Sequence, residues 1–464
     1  MTPQDTNVYL NTFINYELGD WPLGPSLLKQ QRMEALLKEG GYPQRCFLCL
    51  HVAGTKGKGS TCVFLSHILR AAGYRVGLFT SPHIRDVRER IRVLNPDRRV
   101  TSPGEVFPDC IGQKEFCSLV EKVKPVLEKV RKVNSWGPVS YFEVLTLLAL
   151  CAFQKAGADC AVLETGMGGR LDSTNTVDSC VAGLSPISLD HTQHLGRTIA
   201  GIAREKAAIV KSPSQTVIVA PQPRDAEAVL RDHCRDKKAR VFYVGQDILI
   251  KNILQGSQAQ TCEIQGLRDT YALSTELMGD FQWENAAVAI GMAEALGSYG
   301  MDVGKDAIEK GVAQTFWPGR MEIIKRSPDI VLDSAHNPAS CFRLAQSVRS
   351  LFPERRIILV LGVSRDKDRQ GILRALAPLS KDVILTRASH ARAHCFEEKD
   401  VRGVWKHGEF KFCGDVPGAL EAAFQKAEKN DVIVVTGSIF VMSEARNFLL
   451  SEMREGEKKH AVIS

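Results

Sequence analysis

Long apolar runs are missing from this 464-residue chain. None approaches the ~20 residues that an α-helix needs to cross a bilayer. The opening stretch, MTPQDTNVYLNTFINYE, has neither a basic start nor an apolar core, so no secretory signal is expected. Internal repeats and low-complexity segments are lacking too, which excludes solenoid and fibrous architectures. Neither sign of charge dominates: 60 Lys and Arg against 53 Asp and Glu leave a net charge of +7. That mild surplus suits anionic small molecules and is too weak to call for nucleic acid. Cysteine is plentiful at 13, but paired cysteine motifs are not. Cys46 and Cys49 form one C-x-x-C, with no second pair at zinc-finger spacing. In a strand these two side chains would point to opposite faces. Cys49, Cys151, Cys160 and Cys180 lie inside apolar runs and read as buried free thiols of a reducing, cytoplasmic setting.

What the chain does have is a phosphate cradle. Cys46 to Ala53 is an apolar run broken only by His51, and it reads as a buried strand. Gly54, Gly57 and Gly59 follow, with Lys56 and Lys58 between them and Ser60 after. From Ser60 a helical pattern begins, with Cys62, Leu65, Leu69 and Ala72 on one face and Gly73 as a stop signal. In a strand–loop–helix unit of this kind, glycines let backbone N–H groups approach phosphate oxygens, and the helix N-terminus adds partial positive charge. Lys58 can reach the terminal phosphates, and the Ser60 hydroxyl can hold Mg2+. Gly59 separates Lys58 from Ser60, so the match to G-x-x-x-x-G-K-[ST] is imperfect.

The length argues for two domains or more. Residues 1–45 read as a polar, helical lead-in punctuated by Pro22, Gly24 and Pro25. Strands are expected over 74–80, 159–164, 179–187 and 215–220, and helices over 114–133, 141–154, 198–210 and 282–295. A small antiparallel patch is expected over 243–275. The alternation predicts a mostly parallel α/β sheet flanked by helices. Phe316 to Arg320 marks a break, after which strands at 330–334, 356–362, 383–387 and 432–437 and a helix from Pro338 make a second, smaller, Rossmann-like α/β unit. Residues 85–92 carry four arginines and read as a solvated face, placed where it can also meet an anionic substrate. Glu164 ends a strand before a glycine-rich turn, a position suited to Mg2+, which takes few protein ligands. His191 follows another strand end. Periodicity alone leaves it equally a structural residue or a ligand.

Several segments together resemble one known family. They are HVAGTKGKGST (51–61), FTSPHIRDVRERI (79–91), SYFEVLT (140–146), LETGMGGRLDSTN (163–175), SLDHTQHLG (188–196), REKAAI (204–209), FQWENAAVA (281–289), WPGRME (317–322), DSAHNP (333–338) and VTGSIF (435–440). The chain resembles folylpolyglutamate synthase, including the bacterial forms that also act as dihydrofolate synthase, within the Mur-ligase superfamily. The resemblance implies a Mur-ligase-like fold, with an ATP-binding central domain over residues 1–316 and a glutamate ligase domain over 317–464. It implies that Gly54, Thr55, Lys56, Gly57, Lys58, Gly59 and Ser60 bind ATP, with Lys58 at the β/γ end. It places Ser60, Ser81, Glu164 and His191 around Mg2+. Lys206 matches the lysine that the family carries as a carbamate. Asn285, Arg320, Asp333, His336 and Asn337 match nucleotide-contacting positions, and Lys58, Lys206 and His336 are the catalytic candidates. Ser334 stands where the second-domain motif more often has glycine. Lys56 stands where bacterial members often have asparagine.

The implied partners are folate or tetrahydrofolate, L-glutamate and ATP, with K+ as a further cation and dihydropteroate as a second acceptor. A monomer is expected, with no nucleic-acid or membrane partner. In the implied reaction a carboxylate must meet a triphosphate. At ~4 Å and an effective dielectric of ~20, each such charge pair repels by ~4 kcal/mol. Lys58, the helix N-terminus, Mg2+ and Arg320 would offset this, and closure of a two-domain cleft would keep an acyl phosphate from water. Two other readings are weighed. A peptidoglycan Mur ligase carries a UDP-binding domain ahead of the phosphate loop, for which the 53 residues before Gly54 are too few. A P-loop nucleotide switch would have no need of DSAHNP and WPGR.

Overall fold

Residues 1–17, 30–97, 107–133, 137–190, 192–256, 258–406 and 408–463 are described in the computed structural model. The apolar runs of the first two-thirds of the chain build one sheet. Its strands are β1 (Leu48–Ala53), β2 (Val76–Phe79), β3 (Ile91–Leu94), β4 (Cys160–Glu164), β5 (Ser179–Leu184), β6 (Thr216–Val219) and β7 (Arg240–Tyr243). The order is β3-β2-β4-β1-β5-β6-β7. All pairings are parallel except β2 with β3. Residues Cys49 to Ala53 of β1 are buried without alternation, as expected of a central parallel strand covered on both faces.

β1 begins two residues later than the apolar run suggests. Pro43–Cys46 forms a 3-10 turn, which leaves Cys46 exposed while Cys49 is buried. The first long helix, Lys58–Ala71, starts two residues earlier than the apolar pattern indicates. Its cap is Gly57, at φ 80°, a left-handed conformation that glycine adopts without steric cost. This helix is buried from Gly59 through Arg70. Helix Lys305–Ala313 lies against it so closely that a Cβ on Gly311 would sit 2.4 Å from Ile68 Cα. The helix Arg224–Lys237 and strand β7 have no counterpart among the sequence expectations. Its buried residues, Ala226, Leu230 and Cys234, recur every four positions, a helical signal diluted by charge.

The arginine run is only partly a solvated face: Arg85 is exposed and Arg88 half-buried. Arg90 and Arg92 are buried. Arg90 pairs with Glu17 through two bonds of 2.8 and 2.5 Å, and Arg92 with Asp109 at 2.8 Å. Buried guanidinium groups persist only when paired. The expected helical lead-in is present as Pro3–Leu10 and Gln30–Glu39, while Pro22, Gly24 and Pro25 lie outside the described residues.

The patch at 243–275 holds a second sheet: β8 (Leu249–Gln255), β9 (Gln260–Gln265) and β10 (Thr270–Thr275), ordered β10-β9-β8. The connections, 256–259 and 266–269, are too short for parallel crossovers. A third sheet follows, with β11 (Glu322–Lys325), β12 (Asp329–Leu332), β13 (Ile357–Leu361), β14 (Asp382–Leu385), β15 (Glu409–Phe412) and β16 (Val432–Thr436) in the order β11-β12-β16-β13-β14-β15. It is parallel apart from β11. Contacts divide the chain into two units, 1–254 with 261–276 and 282–315, and 255–260 with 277–281 and 316–464. Each has its own apolar core, the second built around Val331, Leu359 and Val434. Among the described residues no helix is long and apolar enough to cross a membrane.

All 13 cysteines are free, and only Cys46 and Cys395 are exposed. Burial pushes the half-exposed thiols up, Cys110 to about 12, Cys151 and Cys180 to about 11, and Cys413 in the same direction.

Candidate phosphate and metal site

Parallel pairing of β1, β2, β4 and β5 sends the loops that follow them to one edge of the sheet, the edge where open α/β sheets hold ligands. After β1 the chain turns sharply. Gly54 has no room for a side chain, since a Cβ there would lie 1.9 Å from Ser185 Oγ. Thr55 and Lys56 donate their N–H groups to the Pro186 carbonyl at 3.0 and 3.1 Å, which fixes the loop against the segment after β5. A Cβ on Gly57 would lie 2.0 Å from Asn285 Oδ1, so Asn285 closes over the loop. The first intrahelical bond runs from Thr61 N–H to the Gly57 carbonyl, at 2.9 Å. The N–H groups of Lys58, Gly59 and Ser60 therefore precede the helical ladder and face outward from the helix start, as an anion requires.

Glu164, the last residue of β4, stands beside this loop. Its Oε1 is 4.0 Å from Lys58 Nζ, and its Oε2 accepts the Ser81 N–H at 3.0 Å. Lys58, Ser81 and Glu164 are thus brought together. One carboxylate at the lip of a phosphate cradle fits Mg2+, which keeps several waters and takes its other ligands from phosphate. His191 lies outside the described residues, and among the described residues no group of three metal-ligating side chains occurs. Lys56 pairs with Asp190 at 3.0 Å, which ties the loop to the segment that leads to His191.

Lys206 is buried, and its Nζ donates to the Gly54 carbonyl at 2.6 Å. Burial lowers its pKa to about 7, and the charge of Lys58 adds to the effect. Helix Ile199–Ala207 carries it under the glycine-rich turn, where a Cβ on Gly169 would lie 2.6 Å from the Glu205 carbonyl. The turn is closed by Asp172, whose Oδ2 accepts Met167 N–H at 2.9 Å and whose Oδ1 accepts the Thr174 hydroxyl at 2.6 Å. Thr174 Oγ1 lies 2.7 Å from Nε2 of His51, an imidazole that burial keeps neutral, with its pKa near 3. In the sequence His51 stands out as a break in an apolar run, and His51, Asp172, Thr174 and Asp190 lie inside the family segments with no role given to any of them. An ionisable residue inside a buried strand is the signal that was available.

In the second unit the motif residues also converge. Asp333 is buried and accepts N–H groups from Ala335 at 2.8 Å and Met321 at 2.9 Å. Burial raises its pKa, while Arg320 and these two donors act against that. Ser334 takes no positive φ, so serine is accommodated where glycine is common. His336 Nδ1 is 2.9 Å from the Ser334 carbonyl. Asn337 caps helix Pro338–Leu351, its side chain accepting Ser340 N–H at 3.0 Å.

Two family models match the chain: the Mur ligase middle domain over residues 123–293 and the Mur ligase glutamate ligase domain over 319–439. A dihydrofolate synthase/folylpolyglutamate synthase of Bacillus subtilis is 31% identical over 425 residues, covering 90% of this chain and 94% of that protein. The chain belongs to the folylpolyglutamate synthase family of Mur ligases. A probable bifunctional folylpolyglutamate synthase/dihydropteroate synthase of Halobacterium salinarum is 36% identical over 404 residues, or 86% of this chain. The chain spans about half of that family member, 46% of its length. The Mycobacterium tuberculosis folylpolyglutamate synthase solved with ADP and AMPPCP superposes with a TM-score of 0.85 at 29% identity, covering 96% of this chain and 98% of that one. The fold expected of the family, two α/β units with mostly parallel sheets, is the fold observed.

Proposed function

We propose that this protein is an ATP-dependent ligase that adds L-glutamate to folate or tetrahydrofolate. The carboxylate of the folate tail attacks the γ-phosphorus of ATP, the bond from that phosphorus to the β-bridging oxygen breaks, and ADP leaves. The glutamate amine then attacks the acyl phosphate at carbon, inorganic phosphate departs, and an amide remains. The observation that carries this reading is the juxtaposition of Lys58 and Glu164 at the mouth of the Gly54–Ser60 loop, 4.0 Å apart. In it Lys58 and the N–H groups of residues 58–60 hold the phosphates, with Ser60, Ser81, Glu164 and His191 around Mg2+. When bound, Mg2+ would neutralise charge on the phosphates. Asn285, Arg320, Asp333, His336 and Asn337 contact nucleotide in this proposal, and His336 is its catalytic residue from the second-unit motif. The functional boundary is set at 316/317.

Lys206 is the proposed carbamate. A neutral amine attacks CO2, and burial lowers the pKa of this lysine to about 7, so that a substantial share of it is neutral at that pH. The cations that disfavour an ammonium there, Lys58 and Lys56, favour a carbamate anion. The remaining N–H can keep its bond to Gly54. Dihydropteroate is the second acceptor to try, because the Bacillus subtilis relative carries both names. Dependence on K+ is checked by exchange for Na+, and monomeric state by light scattering.

The test is phosphate release by the purified protein. It should require ATP, a folate and glutamate together. Turnover indifferent to folate and glutamate would overturn the reading and leave a nucleotide switch. Lys58→Ala and Glu164→Ala should each abolish ligation while circular dichroism stays unchanged.

A further inference from the structure

The hydrogen-bonded chain behind the phosphate loop takes no part in the steps above, yet it joins the strand that launches that loop to the turn that follows Glu164. Thr174 Oγ1 lies 2.6 Å from Asp172 Oδ1 and 2.7 Å from His51 Nε2. Burial raises the Asp172 pKa, but the N–H groups of Thr174 at 3.0 Å and Met167 at 2.9 Å act against that and aim donors at both carboxylate oxygens, which makes it the acceptor here. The hydroxyl has one proton, and it goes to Asp172. Thr174 Oγ1 must then accept from His51, which puts the imidazole proton on Nε2. Nδ1 has no partner among the described residues. All three side chains are buried. The far end of the chain grips Met167, in the middle of the turn, and Gly169 of the same turn lies against Lys206, where a Cβ would come within 3.1 Å of Lys206 Cα.

We infer that His51 and Thr174 are positioning residues, which lock the 165–172 turn to β1 so that Glu164 and Lys206 keep their places relative to Lys58. The inference rests on the ligase reading for what the positioning serves. A relay of this kind acts on the metal and carbamate side of the site and leaves the glycine loop intact.

Thr174→Val keeps the shape and removes the hydroxyl, Thr174→Ser restores it, and His51→Leu removes the donor. In the 464-residue chain, Thr174→Val should lower kcat about tenfold, the size expected for one buried hydrogen bond. It should also raise the Mg2+ concentration for half-maximal rate and, by stranding two buried polar groups, lower the melting temperature, while ADP affinity by calorimetric titration holds. Thr174→Ser should recover the rate. The double variant should be no worse than the poorer single one, since both break one relay. Wild-type kcat and Mg2+ demand in Thr174→Val would overturn the inference. So would a loss of ADP affinity in step with kcat, which marks a purely structural bond. A wild-type protein with no folate- and glutamate-dependent turnover would sink the ligase reading by itself. Nitrogen-15 spectra of histidine-labelled protein then decide the relay: an Nε2–H His51 whose signal moves in Thr174→Val supports it, and an Nδ1–H His51 in the wild type overturns it.

Discussion

Lys206 shows how one residue is shaped by what surrounds it. On a helix surface it would be an ordinary cation. Here it is buried, beside Lys58, with a carbonyl as its partner. Its pKa falls from 10.5 to about 7 in the folded protein. Between those values the unfolded chain holds a proton that the native protein does not, so this lysine's contribution to stability rises with pH across that window and is least below pH ~7. In carbonate-free buffer, urea unfolding at pH 7 and pH 9 should show that rise, and Lys206→Met should flatten it. Bicarbonate should raise ligase activity of the wild type and leave Lys206→Met inactive, with the adduct visible by intact mass. None of this burial was legible from Arg-Glu-Lys as a sequence. The resemblance singled out the residue, and its environment comes from contacts distant in the chain.

At the level of elements, the strand–loop–helix unit was legible because its signals are local: an apolar run, spaced glycines, a helical period. Its boundaries shifted by two residues at Leu48 and at Lys58, where a proline-led 3-10 turn and a left-handed glycine overrule the apolar pattern. The arginine run misled because charge patterns do not reveal partners 73 residues away, as Glu17 is from Arg90. Helix Arg224–Lys237 was missed because three small or medium apolar positions are a thin stripe among charges. Two glycines make sharp tests at this scale. Gly57→Ala meets both a positive φ and Asn285, and should cost roughly 1–3 kcal/mol of stability along with nucleotide affinity. Gly311→Ala presses on backbone at Ile68, which cannot rotate away. It should cost about 1–3 kcal/mol in chemical denaturation, with the helix start still competent for ADP.

For the molecule as a whole, the division near residue 316 was readable as a break followed by a restarted α/β pattern. The return of 255–260 and 277–281 to the second unit was not, because it depends on where a small sheet packs. Arg320 begins that second unit's share of the motifs, with its charge on buried Asp333. Arg320→Ala should weaken ATP binding about tenfold by isothermal titration, the loss of one charge-assisted contact. Unchanged affinity would remove Arg320 from the proposed nucleotide set. The thiol census gives experimenters an unplanned handle. Cys46 belongs to the first unit and Cys395 to the second, and the thiols of Cys110, Cys151, Cys180 and Cys413, half exposed, are all pushed up by burial and held protonated at neutral pH. A maleimide fluorophore pair should therefore mark one spot on each lobe of the native sequence, giving a ruler for their separation as substrates come and go.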